Sequence, residues 1–562
     1  MLSDLFCVLK LKKKKDLIFL FSLMFISTLL EILSLGSLIP VLNAFSKIEQ
    51  TEFFEYYISL FGIDNKKEHI FLIVIFLFLT VYTIKILINS FLLYFENRFI
   101  YSFKEVLNEK LFKIYSYQNI SFFLKKNSSE IIRNLTSEID QITIFILHFL
   151  RIILDLLTLI AIVIFLLFFN PFFTSLIIII FFLISVLYLN ILKKKIHFWS
   201  KLRLVNLQKK IQFIKEGFLA IKEIKLLGRE DYFLDKFKKI NSELSVSSMK
   251  YNLSNLLPKN FFELIGILTI GTILSFYNHE AIDRGEILKN IGIFLFALFK
   301  VIPSFKNLIN GIQTLNYNKK SLNIISKDLK IFEPKIKFLE DTISFDKKIE
   351  LNIKNFYYKN TTSKFSLKNI KISIKKNERV GLIGDSGSGK STVLDLLTGI
   401  HENKLSHTLK IDDVYINRKN SRSWQKRIGY VPQKIFLLED SVKNNVLFGL
   451  NPLIYKNQDI IKLLEKLNLK NFLKNISYNL NTIISENGFN VSGGEIQRIG
   501  IARALIYNPE FIILDEATSG LDSETESKIF EEVLTINKTF LIVTHNKNLI
   551  KYCQKVIDLN KK

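Results

Sequence analysis

Nine consecutive residues carry the clearest chemical signal in the sequence: Gly384, Asp385, Ser386, Gly387, Ser388, Gly389, Lys390, Ser391 and Thr392. An apolar, strand-like run (Val380 to Ile383) precedes them, and a helical pattern (Val393, Leu394, Leu396, Leu397) follows. Glycines at this spacing let the backbone curl so that its N–H groups surround phosphate oxygens, with the next helix aiming its positive end at them. Lys390 would reach the β- and γ-phosphates, and the Ser391 hydroxyl would join a Mg²⁺ shell. The spacing predicts a site for a nucleoside triphosphate. Downstream, Phe511-Ile512-Ile513-Leu514 reads as a buried strand ending in the carboxylates Asp515 and Glu516. Asp515 suits a Mg²⁺ contact, and Glu516 is placed to polarise an attacking water.

Further elements follow in a fixed order. Tyr358 ends an early strand, where its ring could stack on adenine. Gln433 follows the short strand Ile428 to Val431, on a loop able to carry a Mg²⁺ and water contact. Ser492, Gly493, Gly494 and Glu495 make a tight turn that opens a helix, a second cradle for phosphate oxygens. Leu541 to Thr544 is another strand, ending at His545, which could hold the γ-phosphate and water in line. Glu516, His545 and Gln433 are thus the catalytic candidates, with Ser391, Gln433 and Asp515 as the metal candidates.

These parts occupy only the last third of 562 residues, nearly half of which are apolar, against a formal charge of +25. A basic nucleic-acid-binding surface and a membrane protein with basic inner loops both fit that charge. Hydropathy decides for the membrane. Apolar stretches of about 20 residues or more, enough to span a bilayer, lie near 17–45, 69–95, 140–168, 172–192, 260–278 and 287–309. The segments that alternate to one side carry a net +15 and those on the other −4. That asymmetry places both termini in the cytoplasm and removes nucleic acid as a partner. The expected architecture is an all-α six-helix transmembrane domain over 1–330, a charged linker over 331–347, and an α/β P-loop domain over 348–562. Cys7 and Cys553 are too far apart in sequence to define a disulfide framework or a metal cluster. The first apolar run is long and has no small-residue cleavage site, so no cleavable leader is expected.

Within the membrane half, helical periodicity continues through 96–139 and 193–257, with turn-helix tips expected at Ser116–Leu124 and Glu216–Leu226. Arg151 and Asp155, four apart on the third span, are expected to neutralise each other. Glu31 is a candidate cavity-facing or helix-to-helix contact. Lys85, Lys259, Lys300 and Lys306 fall in the cytoplasmic half or at the inner boundary. They are either snorkelling cations or a cationic lining for an anionic head group. Phe53, Phe54, Tyr57, Leu60 and Phe61 form an apolar face that suits a helix lying on the outer membrane surface.

Taken together, these motifs resemble those of an ATP-binding cassette (ABC) transporter of the exporter type, over essentially the whole chain. The resemblance implies an ABC exporter fold and an A-loop at Tyr358. It also implies a Q-loop at Gln433, a signature motif at 491–495, a D-loop at 519–522 and an H-loop at His545. Ser485 to Gly488 resembles the exporter loop that touches the coupling helices, which the tips near 116–124 and 216–226 would be. The signature ends in Glu495, where the family usually has Gln. One P-loop and one signature per chain imply a half-transporter that completes two ATP–Mg²⁺ sites as a homodimer. The membrane half is similar to PglK-like bacterial flippases of lipid-linked oligosaccharides. That likeness implies a polyprenyl pyrophosphate-linked substrate moved from the inner to the outer leaflet of a bacterial inner membrane. A lipid A, drug or peptide exporter shares the same engine. An ATP-gated channel or regulatory subunit is the alternative of another class, and the intact Glu516 and His545 argue against it. A soluble DNA-repair ATPase is excluded by the apolar spans.

Overall fold

The computed structural model describes residues 2–9, 14–45, 67–169, 171–279, 284–331, 343–357, 366–401, 406–485, 490–517 and 523–560. The chain divides into two compact units, Met1–Gln118 with Lys126–Pro334, and Asn119–Lys125 with Lys335–Lys562.

The described elements of the first unit are helices: α1 (Leu2–Leu9), α2 (Lys14–Gly36), α3 (Leu38–Phe45) and α4 (Lys67–Ser116) come first. The short α5 (Ile120–Phe123) belongs to the second unit. Then follow α6 (Ser128–Arg133), α7 (Ile139–Phe169), α8 (Pro171–Leu219), α9 (Ile221–Leu227), α10 (Glu230–His279) and α11 (Arg284–Ile331). Helices α4, α8, α10 and α11 have 50, 49, 50 and 48 residues. At 1.5 Å per residue each runs about 70–75 Å, more than twice the bilayer's hydrocarbon thickness of about 30 Å. Each is therefore longer than a bilayer crossing needs, as the continued periodicity predicts for α4, α8 and α10.

Among the described residues, five helices are long and apolar enough to cross a membrane: Lys14–Val41, Val74–Ser116, Ser128–Phe169, Pro171–Leu219 and Gly292–Lys330. The stretch 260–278, expected as a sixth span, is the C-terminal part of α10. Phe76, Phe168, Phe172 and Phe182 stand exposed on these helices, an arrangement costly in water and natural in lipid. Between α8, α10 and α11 the interior is aromatic, with Phe181 stacked on Phe262 at 5.0 Å and edge-on to Phe305.

One expectation for the spans is corrected. Arg151 pairs with Glu96 of α4 at 3.2 Å rather than with Asp155. Glu96 is buried, and its carboxylate would be costly to leave unpaired. Asn170 and the aromatic segment 52–61 lie outside the described residues.

A polar layer joins α4, α6, α8 and α11. Its root is a π-helical turn at Asn134–Glu138, which directs both Asn134 and Glu138 inward. Glu138 is fully buried and takes Arg203 at 3.2 Å and Arg133 at 3.8 Å. Arg203 also donates to Ser321, and Arg133 to Gln208. Tyr115, Lys126 and Asn134 all converge on Asp328.

The second unit holds two sheets. In the antiparallel one, β2-β1-β4-β5, strands β1 (Lys348–Phe356) and β2 (Leu367–Lys375) pair Ile349 with Ile374 and Leu351 with Ile372. Strands β4 (His407–Ile411) and β5 (Val414–Tyr415) complete it. The other sheet is parallel, in the order β6-β7-β8-β3-β9. Its members are β3 (Arg379–Ile383), β6 (Ile428–Val431), β7 (Phe511–Asp515), β8 (Thr539–Val543) and β9 (Lys555–Asp558). Strands β7 and β8 are almost uninterrupted apolar runs because both faces are covered. Trp424, fully buried, stacks on Phe511 and donates its indole N–H to the Leu397 carbonyl at 2.9 Å.

Candidate nucleotide-binding and hydrolysis site

Strand order builds the site. In a parallel sheet the C-terminal strand ends all emerge on one edge, where α/β folds bind ligands. Along that edge β6, β7, β8 and β3 are neighbours. The residues that follow them are Gln433, the Asp515–Glu516 pair, His545 and the loop 384–389, so segments distant in sequence are brought into one row.

The loop after β3 curls as its glycines permit. Gly384, Gly387 and Gly389 have φ of 154°, 84° and 99°, a region costly for side chains with a Cβ. A Cβ on Gly384 would lie 2.6 Å from Ser388 Oγ, so the close approach as well as the dihedral requires glycine. Helix α12 (Lys390–Leu397) begins directly at the loop's end, with Gly389 as its N-cap. Ser391 and Thr392 occupy its first turn. Lys390 folds back over the loop, donating to the carbonyls of Gly384 at 2.7 Å and Asp385 at 3.1 Å. Asp385 is held from the other side, its N–H donating to Asn560 at 3.1 Å.

The two carboxylates end up in different surroundings. Glu516 sits just beyond β7 with φ of 49°, unusual for a residue with a side chain. Its N–H donates to the Val543 carbonyl at 3.0 Å, which holds this strained position. Gln433 donates to Glu516 Oε2 at 2.6 Å, and His545 Nε2 lies 3.1 Å from Oε1. The same His545 nitrogen is 3.2 Å from Lys390 Nζ. A single ring nitrogen either donates to the carboxylate or accepts from the ammonium, so His545 links the two through a choice of tautomer. Burial pushes the Asp515 carboxyl up from the ordinary range, and the Glu516 charge adds to this, while Tyr430 and Lys390 oppose it.

Tyr430, which no spacing in the sequence singles out, donates to Asp515 Oδ2 at 3.2 Å. The available signal was its place on β6, the strand that pairs with β7.

The turn at 492–495 has its own local geometry. Ser492 caps α13 (Gly493–Leu505) in a reciprocal capping box: it accepts from the Glu495 N–H, and the Glu495 carboxylate accepts from the Ser492 N–H at 2.8 Å. Tyr358, residues 486–489 and residues 518–522 lie outside the described residues.

The four lysines in the membrane unit are not equivalent. Lys85 is buried, with its ammonium 2.8 Å from Glu31 and donating to Ser34 at 2.9 Å. Its ammonium is shared with Glu31 rather than open, since an unshared charge in apolar surroundings would be costly. Glu31 also meets Lys300 at 3.3 Å, and the Lys300 side chain keeps 37% of its surface exposed. Lys259 pairs with Glu263 one turn away at 3.4 Å, and Lys306 is half-buried on α11.

Family models match both parts of the chain. The "ABC transporter transmembrane region" model covers residues 17–302, just over half of the chain, and the "ABC transporter" model covers 367–519. The chain belongs to the ABC transporters. A solved structure of a bacterial Atm1-family ABC exporter with ATP bound matches at a TM-score of 0.77 and 16% identity, over 97% of this chain and 94% of that one. The fold is therefore that of ABC exporters, a helical transmembrane domain joined to a nucleotide-binding domain. A relative named ATP-dependent lipid A-core flippase from Wigglesworthia glossinidia brevipalpis is 27% identical over 82% of this chain and 79% of its own. One of the same name from Pseudoalteromonas translucida is 24% identical over 80% and 78%. A third, lipid A-core flippase 2 of Colwellia psychrerythraea, is 29% identical over 62% of this chain, which spans 59% of that protein's length. This ABC transporter is a multi-pass half-transporter, and its nucleotide-binding domain is an ATP hydrolase coupled to transport.

Proposed function

We propose that this ABC transporter works as a homodimer in a bacterial inner membrane, with both termini cytoplasmic, and flips a glycosylated lipid with an anionic head group outward. The cargo proposed is a polyprenyl pyrophosphate-linked oligosaccharide. The observation that carries this reading is the Glu31–Lys85–Lys300 group. Two ammonium groups share one carboxylate, leaving a net positive charge inside the apolar bundle, and the more exposed Lys300 faces the least commitment. A phosphate or pyrophosphate could take Lys300 from Glu31 without stranding Lys85. The names of the flippase relatives favour a second reading, lipid A. Its phosphorylated saccharide presents the same chemistry.

The engine is proposed residue by residue. The loop N–H groups of Ser386, Gly387 and Gly389, with Lys390, hold the phosphates, while the Asp385 N–H stays bonded to Asn560. Tyr358 stacks on adenine, Glu516 orients and polarises the water, and His545 with Gln433 fixes the Glu516 carboxylate. Oxygen donors at Ser391, Asp515 and Gln433 form a set suited to a hard cation such as Mg²⁺. When bound, Mg²⁺ would neutralise charge building on the phosphates. The Ser492–Glu495 turn of a second copy would close each site, since each chain carries one phosphate loop and one such turn. ATP then favours the closed pair over the open one. The tips α5 and α9 carry that closure into the bundle.

The test is reconstitution in vesicles with a fluorescent short-chain polyprenyl pyrophosphate saccharide and, in parallel, lipid A. Wild type should flip one of them in an ATP-dependent way, and Lys300→Glu should abolish both flipping and cargo-stimulated ATPase. Unchanged flipping by Lys300→Glu overturns the cargo reading. A monomer in nanodiscs that turns over ATP at the full rate overturns the dimer.

A further inference from the structure

The segment from Tyr430 to Gln433 touches both carboxylates at the end of β7. Gln433 donates to Glu516 Oε2 at 2.6 Å, and Tyr430 donates to Asp515 Oδ2 at 3.2 Å. Only the first of these contacts is called for by the hydrolysis machinery described above. We infer that Tyr430 is a positioning residue for the metal site: its hydroxyl fixes the Asp515 carboxylate so that one oxygen is committed to the protein and the other is presented to the cation.

The geometry is set by the sheet. Strands β6 and β7 are parallel neighbours, with Tyr430 opposite Ile513 and Val431 opposite Leu514. The tyrosine's length carries its hydroxyl past the end of β7 to Asp515, two residues further along. A carboxylate at a strand end has a free torsion about its last bond, and a hydrogen bond to one oxygen removes that freedom. Few other constraints do this work here. Asp515 takes the Tyr430 hydroxyl as its hydrogen-bond donor, whereas Lys390 bonds to Gly384, Asp385 and His545. Pro432 lies between the two donors and restricts the backbone of Val431 before it. Tyr430 and Gln433 are therefore carried on one short stiff segment, which displaces both carboxylates together or neither.

This inference rests on the proposed role of Asp515 as a metal contact, and the experiment separates the two. Full-length protein in nanodiscs is saturated with the non-hydrolysable analogue adenylyl imidodiphosphate and titrated with Mn²⁺, followed by electron paramagnetic resonance. The affinity of the same analogue is measured separately in EDTA. Tyr430→Phe should weaken Mn²⁺ binding about tenfold, the loss expected for one hydrogen bond to a charged group, and leave the metal-free nucleotide affinity unchanged. Asp515→Asn should weaken Mn²⁺ binding further. If Asp515→Asn weakens Mn²⁺ binding and Tyr430→Phe does not, the inference for Tyr430 falls alone. If neither variant changes it, the reading of Asp515 falls and takes the inference with it. Equal losses with and without metal in Tyr430→Phe would show a merely structural role and overturn the inference as well.

Discussion

His545 Nε2 stands 3.1 Å from Glu516 Oε1, while Gln433 holds the other oxygen of the same carboxylate. Each oxygen of Glu516 thus has a partner from a different strand end, and the residue itself sits at a strained φ of 49°. A carboxylate held this way has its direction settled before any water arrives.

The first prediction follows from that arrangement. Glu516→Gln should lower ATP turnover by about 10²–10⁴-fold, the range for removing a positioned base. Nucleotide binding should persist, because Gln still fits between Gln433 and His545. His545→Ala should also slow turnover, by leaving the carboxylate held on one side only. Phosphate release and equilibrium nucleotide binding, measured on the same samples, check the split. Equal loss of binding and turnover in Glu516→Gln would contradict the assignment.

A second prediction concerns Glu31. Two ammonium groups depend on it, and Lys85 is only 3% exposed. Truncating one member of a buried ion pair strands the other, at a cost of about 3–5 kcal/mol. Glu31→Ala should therefore unfold at a clearly lower temperature in detergent than Lys300→Ala, whose side chain is half open. The double variant Glu31→Gln with Lys85→Met should recover much of the loss, because no buried charge is then left over. Similar melting temperatures for Glu31→Ala and Lys300→Ala would refute this ranking.

Much of the nucleotide site was legible in the sequence because each motif is local. A loop of fixed spacing binds phosphate through its own backbone, and a strand ending in two carboxylates announces itself by a polar step after an apolar run. Partnerships across elements were less legible. Tyr430 and Asp515 meet only because β6 and β7 are neighbours, an adjacency that spacing along the chain does not encode. Arg151 was matched to Asp155 by helical periodicity, yet the fold supplies Glu96 from another helix. The long helices were readable from hydrophobic length, but the π turn at Asn134–Glu138 was not, since one extra residue in a turn leaves little trace in an apolar pattern. The same holds for the polar layer that it directs inward.

A third prediction concerns the signature turn, where glutamate replaces the usual glutamine. Glu495 accepts from the Ser492 N–H at 2.8 Å, and a glutamine carbonyl can accept the same bond. Glu495→Gln should thus keep the cap and remove only the charge. Its melting temperature should stay close to wild type, while the KM for ATP falls, because a carboxylate beside incoming phosphates repels them. Ser492→Ala, by contrast, removes the cap and should cost about 1 kcal/mol of stability. ATPase titrations at low and high salt would check the first effect, since screening should shrink the difference between Glu495 and its Gln variant. A KM that does not move would show that the charge is neutral to ATP.

The last prediction tests the polar layer around Glu138. Its carboxylate is fully buried and answers two guanidinium groups, Arg203 at 3.2 Å and Arg133 at 3.8 Å. Arg203 further donates to Ser321 of α11, so the π turn, α8 and α11 meet through this one side chain. Glu138→Ala leaves two buried cations facing each other and should destabilise by about 3–5 kcal/mol. Glu138→Gln keeps an acceptor for Arg203 but not the charge, and should fall between wild type and Ala. The exposed pair Lys238–Asp235, at 3.4 Å, serves as control: Asp235→Ala should change stability by less than about 1 kcal/mol. Thermal unfolding of the three variants in one detergent decides the matter. A Glu138→Ala protein as stable as the Asp235→Ala control would mean that the layer is held by packing alone and that its charges are incidental.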